Sequence, residues 1–204
     1  MEQKDMWQIE RSHFEKGITC ICGVDEAGRG PLAGPVCAAA VILPPYAQIP
    51  GLDDSKKLTD KRRRELFPVI KEQALAYGIA FADHTEIDEI NILQATYLAM
   101  ERAMNALSIR PELALIDGNR AKDFGLPVQT VVKGDSLSAS IAAASILAKV
   151  TRDDYMLEMA EAYPGYAFEV HKGYGTKLHY ERIAALGPSP IHRMTFLKKL
   201  YGTK

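Results

Sequence analysis

The chain has 204 residues, 47% of them hydrophobic, and a formal net charge of −1. This size allows one well-filled core with a small appendage, and the near-neutral charge excludes a protein that coats nucleic acid by bulk charge. A local basic groove stays compatible with it. No apolar run approaches the ~20 residues of a membrane span, and the N-terminus lacks the layout of a signal peptide, so we expect a cytoplasmic protein.

The predicted elements begin with two strands. Residues 18–25 and 34–43 are apolar, and the short link between them favours an antiparallel pair. The cysteines of these segments are expected to be reduced core thiols, because a zinc site usually needs four ligands and no second C-x-C pair exists. They are Cys20, Cys22 and Cys37.

Helices and strands alternate in the rest of the chain. Thr59 can cap a helix over residues 60–76, and residues 77–82 follow as a third strand. The later predicted elements are a helix in two pieces over 86–107, strands at 112–117 and 128–132, a long helix over 136–163, a shorter helix over 176–186 and a tail. A meander followed by alternation predicts an α/β fold with a mixed central sheet flanked by helices.

The segment 23–35, Gly-Val-Asp-Glu-Ala-Gly-Arg-Gly-Pro-Leu-Ala-Gly-Pro, places two carboxylates directly before a glycine-rich turn. A plain turn between strands explains the glycines but not the acids, which cost free energy in a buried strand unless they are paired or bind a metal. Asp25 and Glu26 therefore predict a functional site. The glycines also fit G-x-G-x-x-A, but Gly34 and Pro35 interrupt the helix that a dinucleotide-binding fold requires.

Two further aspartates follow apolar strands. Asp117 precedes a glycine, where a turn aspartate is the structural alternative, and Asp135 precedes the long helix, where an N-cap is the alternative. Strand ends converge in an open α/β sheet, and gathered carboxylates would repel one another unless Mg²⁺ or Mn²⁺ neutralised them. Together with Asp25 and Glu26 they predict a metal site, and two ions about 4 Å apart would suit attack of water on a phosphodiester.

Basic and aromatic residues supply candidate contacts to a nucleic acid. The long helix carries a polar stripe that is typical of a solvated face and also suits a nucleic-acid backbone: Ser138, Ser145, Lys149 and Arg152. A basic stretch resembles an exposed surface and is the best candidate for duplex phosphates: Lys56, Lys57, Lys61, Arg62, Arg63 and Arg64. Tyr174, among glycines and lysines, is either a core residue or a stacking surface for a sugar or base.

The motifs of residues 18–197 resemble those of bacterial ribonuclease HII, in the family's order. They include Asp25-Glu26-Ala27-Gly28-Arg29-Gly30-Pro31, Asp54-Ser55-Lys56-Lys57-Leu58, Ile116-Asp117-Gly118-Asn119, Lys133-Gly134-Asp135, Ala143-Ala144-Ser145-Ile146 and His171-Lys172-Gly173-Tyr174. The resemblance implies a ribonuclease H-like core at 18–163, with a helical lead at 1–17 and a C-terminal helical extension at 164–204. Gly175 departs from the proline common in the family at this place, which loosens the loop but keeps the ring.

The resemblance further implies a metal-dependent endonuclease that cleaves the RNA strand of RNA/DNA hybrids. It also implies incision 5′ to a single ribonucleotide in duplex DNA, leaving 3′-hydroxyl and 5′-phosphate ends. The implied ligands of a two-ion Mg²⁺ or Mn²⁺ site are Asp25, Glu26, Asp117 and Asp135. Gly28, Arg29 and Gly30 would read the ribose 2′-hydroxyl, Tyr174 would pack on the sugar at the junction, and Lys56, Ser138 and Lys149 would contact phosphates.

The expected partners are RNA/DNA hybrids and DNA duplexes that contain ribonucleotides, with no membrane and no obvious clamp-binding motif. We expect a monomer. An exonuclease of the same fold is the first alternative, but it would need a histidine or tyrosine near the last acid. A noncatalytic nucleic-acid-binding module is the second, but it would have little use for four converging acids.

Overall fold

One mixed sheet of five strands organises the computed structural model, which describes residues 5–201 apart from the side chains of residues 199 and 201. The strands are β1 (Ile21–Ala27), β2 (Val36–Ile42), β3 (Ala76–Ala82), β4 (Leu113–Asp117) and β5 (Val128–Val131). Their spatial order is β3-β2-β1-β4-β5. The β1–β2 and β2–β3 pairs are antiparallel, whereas β4 runs parallel to both β1 and β5. The predicted antiparallel pair and the mixed sheet are confirmed.

Helices cover both faces of this sheet. They are α1 (Gln8–Phe14), α2 (Asp60–Gln73), α3 (His84–Asn105), α4 (Ala139–Ala162), α5 (Phe168–His171), α6 (Lys177–Leu186) and α7 (Met194–Tyr201). α3 packs against one face of β2, and α2 and α4 pack against the other, because successive residues of a strand point to opposite faces. The predicted α/β architecture with a helical C-terminal region is confirmed. In the described part of the chain, no helix is long and apolar enough to cross a membrane.

The three cysteines are free thiols, as expected from their apolar surroundings. Cys22 and Cys37 are fully buried, and Cys20 is partly buried. Burial raises the pKa of the Cys22 and Cys37 thiols to about 12. Both therefore remain protonated core residues at neutral pH.

The N-terminus of α4 is closed by a residue from α1. The Ser138 hydroxyl accepts a hydrogen bond from the Ile141 amide at 3.2 Å and donates one to the Glu10 carboxylate at 2.6 Å. Asp135 lies in a short 3₁₀ turn, Gly134–Ser136, that precedes the helix. The N-cap interpretation of Asp135 is therefore wrong, because Ser138 holds that position.

Other element boundaries differ from the predictions. β1 continues through Ala27, so Asp25 and Glu26 lie within the strand rather than at its end. The predicted tail contains α7. The helix predicted in two pieces is α3, which breaks at Asn91, where φ is 67°. The Asn91 side chain accepts hydrogen bonds from the amides of Leu93 and Gln94, and so begins the second piece.

Gly23 allows α4 to lie directly on β1. A Cβ atom at Gly23 would meet the carbonyl carbon of Ser140 at 2.1 Å and the amide nitrogen of Ile141 at 2.2 Å. These are backbone atoms of the first turn of α4, so they cannot rotate aside as a side chain could. The position of β1, which carries two of the predicted site residues, therefore depends on residue 23 being a glycine.

We expect Gly23→Ala to separate α4 from β1 and to cost about 3 kcal/mol of unfolding free energy. For a chain of this length, that cost lowers the thermal midpoint by about 6–12 °C. Gly30→Ala is the matched control, because the nearest atom to its Cβ would be Tyr174 Cε1, at 3.9 Å. Equal melting temperatures for the two variants, measured by circular dichroism, would contradict this close packing.

Candidate active site

Three carboxylates converge beside the parallel strands β1 and β4. Asp25 comes from β1, Asp117 from the end of β4 and Asp135 from the 3₁₀ turn after β5. One oxygen from each lies within 4.8 Å of the others. The Gly134 amide donates a hydrogen bond to Asp117 at 2.7 Å, which ties the turn to β4. Oxygen ligands at this spacing fit a hard divalent cation.

Glu26 lies beside this cluster rather than inside it. Its carboxylate accepts a hydrogen bond from the Arg29 guanidinium at 3.3 Å. It lines the same cavity as Asp25 and Asp117. The structure thus brings three of the four predicted ligands within mutual reach and places the fourth next to them.

The cluster concentrates negative charge in a buried place. Burial raises the pKa of Asp25 well above its usual range, and the charges of Glu26 and Asp117 raise it further. Burial also raises the pKa of Asp117 and of Glu26. The Lys56 ammonium lies 3.0 Å from Asp135; burial disfavours its charge, but the bond to Asp135 outweighs this and raises the Lys56 pKa. Lys56 and Arg29 together cannot offset four acids, so the donor set fits a divalent ion.

A cavity of about 260 Å³ opens over Asp25, Glu26 and Asp117, whereas Asp135 does not line it. It is lined by nine of the predicted site residues: Asp25, Glu26, Gly28, Arg29, Gly30, Lys56, Asp117, Lys149 and Tyr174. Arg63 and Ser145, which the sequence offered as candidate nucleic-acid contacts, line it as well, and so does Ser55, to which the sequence assigned no role. The Ser55 and Ser145 hydroxyls lie 2.7 Å apart, a contact across 90 residues that local sequence could not reveal.

Two buried arginines bind the backbone carbonyls of the glycine-rich loop. The Arg193 guanidinium donates hydrogen bonds to the carbonyls of Gly28 at 2.6 Å, Arg29 at 3.0 Å and Gly34 at 2.9 Å. The Arg152 guanidinium donates to the carbonyls of Pro35, Lys172 and Ala33. Both side chains are fully buried.

This arrangement orients the amides of the loop. In a trans peptide the N–H points opposite to the carbonyl of the preceding residue, and none of the described peptide bonds is cis. With the carbonyls of Gly28 and Arg29 turned toward Arg193, the N–H groups of Arg29 and Gly30 point away from the guanidinium. The same loop lines the cavity, so these two N–H groups are candidate donors to a ligand bound there.

Tyr174 lines the cavity next to Gly30 of the glycine-rich loop. It is 41% exposed, so the core interpretation is wrong. The Lys149 ammonium lies 5.9 Å and the Arg152 guanidinium carbon 5.8 Å from the centre of its ring. The Leu32 amide donates to the Gly173 carbonyl at 2.8 Å, which fixes the tyrosine loop against the glycine-rich loop.

Ser138 is not part of the cavity. It is fully buried, and its hydroxyl is occupied by Glu10 and by the Ile141 amide. Its assignment as a phosphate contact therefore needs correction. The idea of a solvated polar stripe is also wrong, since Ser138, Ser145 and Arg152 are all buried.

Internal partners occupy much of the basic stretch. Lys57 pairs with Asp53, Arg62 with Glu65, and Arg64 with Asp60 and Asp154. The Arg63 guanidinium donates to the carbonyls of Ser55 and Leu58. A charge run in sequence therefore overstates the charge available for phosphates.

A mixed sheet with carboxylates gathered beside its parallel strands defines a metal-dependent nuclease with a ribonuclease H-like fold. The sequence model of the family described as Ribonuclease HII matches residues 22–199. The chain belongs to this family, and it is a ribonuclease H, an endonuclease that acts on RNA/DNA hybrids.

Individual relatives agree with this assignment. Ribonuclease HII of Geobacter sulfurreducens is 56% identical over 194 residues, which cover 95% of this chain and 89% of the relative. Ribonuclease HII of Caldicellulosiruptor bescii is 50% identical over 199 residues, which cover 98% of this chain and 97% of the relative. The crystal structure of ribonuclease H2 from Pyrococcus horikoshii OT3 matches with a TM-score of 0.72 and 27% identity, over 90% of this chain and 99% of that one. The ribonuclease H-like fold is therefore confirmed.

We expect Asp25→Asn to raise the melting temperature in the absence of divalent ions, because the amide removes a buried charge that its neighbours repel. A gain of about 1 kcal/mol corresponds to about 2–4 °C. Added Mn²⁺ should stabilise the wild type by about 2.7 kcal/mol at a concentration 100 times its dissociation constant, and the variant by much less.

Asp154→Asn is the control for this experiment, because the Asp154 side chain is 46% exposed and its partner Arg64 also pairs with Asp60. It should change stability by no more than about 0.5 kcal/mol. Equal stabilisation of wild type and Asp25→Asn by Mn²⁺ would remove Asp25 from the metal site.

Proposed function

We propose that this enzyme incises duplex DNA 5′ to a single embedded ribonucleotide, in addition to cleaving the RNA strand of hybrids. The ends left behind would be a 3′-hydroxyl and a 5′-phosphate. The observation that carries the proposal is the shared cavity, which is lined by three of the acids, Asp25, Glu26 and Asp117, together with the glycine-rich loop and Tyr174. Such a cavity can bind the sugar next to the phosphodiester bond that is cut, and so can distinguish a ribose from a deoxyribose there.

Asp25, Asp117 and Asp135, with Glu26 beside them, would hold the divalent ions, which we propose to be two Mg²⁺ or Mn²⁺. The charges of both Glu26 and Asp117 raise the pKa of Asp25, so Asp25 is close to both of these acids. We therefore assign Asp25 contact with both ions. Bound ions supply activation of the attacking water and stabilisation of the leaving 3′ oxygen. The protein's part is to gather the carboxylates at a mutual distance that their repulsion opposes.

The glycine-rich loop would recognise the ribose through its backbone. The N–H groups of Arg29 and Gly30 are fixed by the bonds of the preceding carbonyls to Arg193. Arg29 and Gly30 are exposed in the free protein, so a bound duplex would cover their N–H groups. A 2′-hydroxyl oxygen can accept from these donors, whereas a deoxyribose would leave them unpaired beneath the duplex. A backbone reader needs close approach, which glycine on either side of Arg29 permits.

Tyr174 would complete the recognition by packing its ring on the adjacent sugar. Lys149 lies near this ring and pairs with Asp153, and Lys56 pairs with Asp135. Both ammonium groups border the cavity and would contact phosphate oxygens there. Incision beside a lone ribonucleotide would begin its removal from DNA.

The decisive experiment gives the pure enzyme Mg²⁺ or Mn²⁺ and four duplexes of one sequence: DNA with one ribonucleotide, DNA with a four-ribonucleotide tract, an RNA/DNA hybrid and all DNA. We expect a cut 5′ to the single ribonucleotide and none in all DNA, resolved on a sequencing gel. Asp135→Asn should lose activity on every substrate, because it loses a ligand charge. Equal cutting of all DNA would refute reading of the 2′-hydroxyl.

The role of Tyr174 can be separated into ring and hydroxyl. If packing dominates, Tyr174→Phe retains most of the preference for the single-ribonucleotide duplex over the hybrid, and Tyr174→Ala loses about tenfold or more, as a lost stacking contact predicts. The measurement is kcat/KM on both substrates. Loss in Tyr174→Phe as large as in Tyr174→Ala would assign recognition to the phenol oxygen instead.

A further inference from the structure

Three buried histidines lie beneath the Tyr174 loop, and none of them has a role in the proposed chemistry. His171, His179 and His192 are 6%, 0% and 2% exposed. The rings of His171 and His179 stack with centroids 4.1 Å apart, and the ring of Phe168 packs against all three. Buried polar rings in such a cluster cost free energy unless every nitrogen has a partner.

The hydrogen bonds of His179 and His192 run in one direction. The Ser189 amide can only donate, and it lies 2.8 Å from His192 Nδ1, so Nδ1 accepts and the ring proton sits on Nε2. His192 Nε2 lies 3.0 Å from His179 Nε2, which must then accept. The remaining proton of His179 is on Nδ1, 3.0 Å from the carbonyl oxygen of Tyr174. The chain of donors therefore ends on the backbone of Tyr174.

His171 fits the same scheme. Its Nδ1 accepts from the Gly173 amide at 3.1 Å, so its Nε2 carries the proton and donates to the Tyr166 carbonyl at 2.9 Å. All six ring nitrogens thus have a hydrogen-bond partner, and no lone pair is left for a metal ion. The burial that isolates the rings lowers the pKa of His179 and His192 to about 4, so both are neutral at neutral pH.

The Tyr174 loop needs such a restraint. Lys172 and Gly173 have positive φ values of 50° and 84°, and Gly175 follows the tyrosine without a side chain to limit the backbone. The Tyr174 carbonyl accepts from the Thr176 amide at 2.8 Å and from His179. The bond from Thr176 lies within the loop itself, whereas His179 belongs to α6 and connects the loop to a helix.

We propose that His179 is a positioning residue. Its hydrogen bond to the Tyr174 carbonyl fixes the backbone of Tyr174, and thereby holds the Tyr174 ring where it can pack on a sugar bound in the cavity. This role rests on the proposed recognition of single ribonucleotides. His192 fixes the tautomer of His179, and Ser189 fixes that of His192. Substrate reading thereby depends on side chains that never touch the substrate.

The test compares two variants that differ in one donor. In His179→Asn the side-chain amide can replace Nδ1–H toward the Tyr174 carbonyl, whereas His179→Leu keeps similar bulk and has no donor. We expect His179→Leu to lose about tenfold in kcat/KM on the single-ribonucleotide duplex relative to the hybrid. His179→Asn should keep most of this preference, and stabilisation by Mn²⁺ should be unchanged in both.

A merely structural role would show a different result. Both variants would then lose activity on both substrates in proportion to their lower melting temperatures, which would overturn the proposal. An unchanged preference in folded His179→Leu would overturn it as well. A wild type that makes no cut 5′ to the single ribonucleotide, or that cuts all DNA equally well, would instead refute the proposed function, and the positioning role with it.

The tautomers provide a readout that does not depend on catalysis. Long-range ¹H–¹⁵N spectra distinguish the two neutral forms of each histidine. We expect His179 to be protonated at Nδ1, and His171 and His192 at Nε2. Protonation of His179 at Nε2 would overturn the proposed chain whatever the activity assays show.

Discussion

Two guanidinium groups without a carboxylate hydrogen-bond partner hold the centre of this molecule together. Within the described residues, neither Arg152 nor Arg193 has an acidic oxygen at ion-pair distance. Six backbone carbonyls surround their charges instead. Replacing either arginine by an apolar residue would leave several buried oxygens unpaired, so the glycine-rich loop, the Tyr174 loop and the C-terminal helices depend on one another.

The clustered carboxylates lower this stability. Asp25 is buried next to two other acids, and its folded position is tolerable because Lys56 and backbone amides neutralise part of the cluster. The free energy that offsets this burial comes from the surrounding packing, where the absence of a side chain at Gly23 lets α4 lie directly on β1. Because the carboxylates repel one another in the free protein, binding of a cation between them relieves that repulsion and is favoured by it.

Local sequence predicted what depends on local pattern. The strands, the break in α3 and the convergence of Asp25, Asp117 and Asp135 follow from periodicity, turn residues and the geometry of strand ends. The functions of Ser138, Arg152 and Arg193 did not, because each is decided by partners more than 100 residues away. Polarity alone made the stripe on α4 look solvated, although its members point into the protein.

The hydrogen bonds of Arg193 have a consequence for biosynthesis. They join the loop at Gly28 and Arg29 to a residue 165 and 164 positions later in the chain. While the polypeptide is still emerging from the ribosome, β1 can pair with β2, but the loop after it has no guanidinium to order its carbonyls. The nascent chain therefore carries Asp25 and Glu26 long before the guanidinium that orders the loop beside them, and this loop can reach its final conformation only after Arg193 has been synthesised.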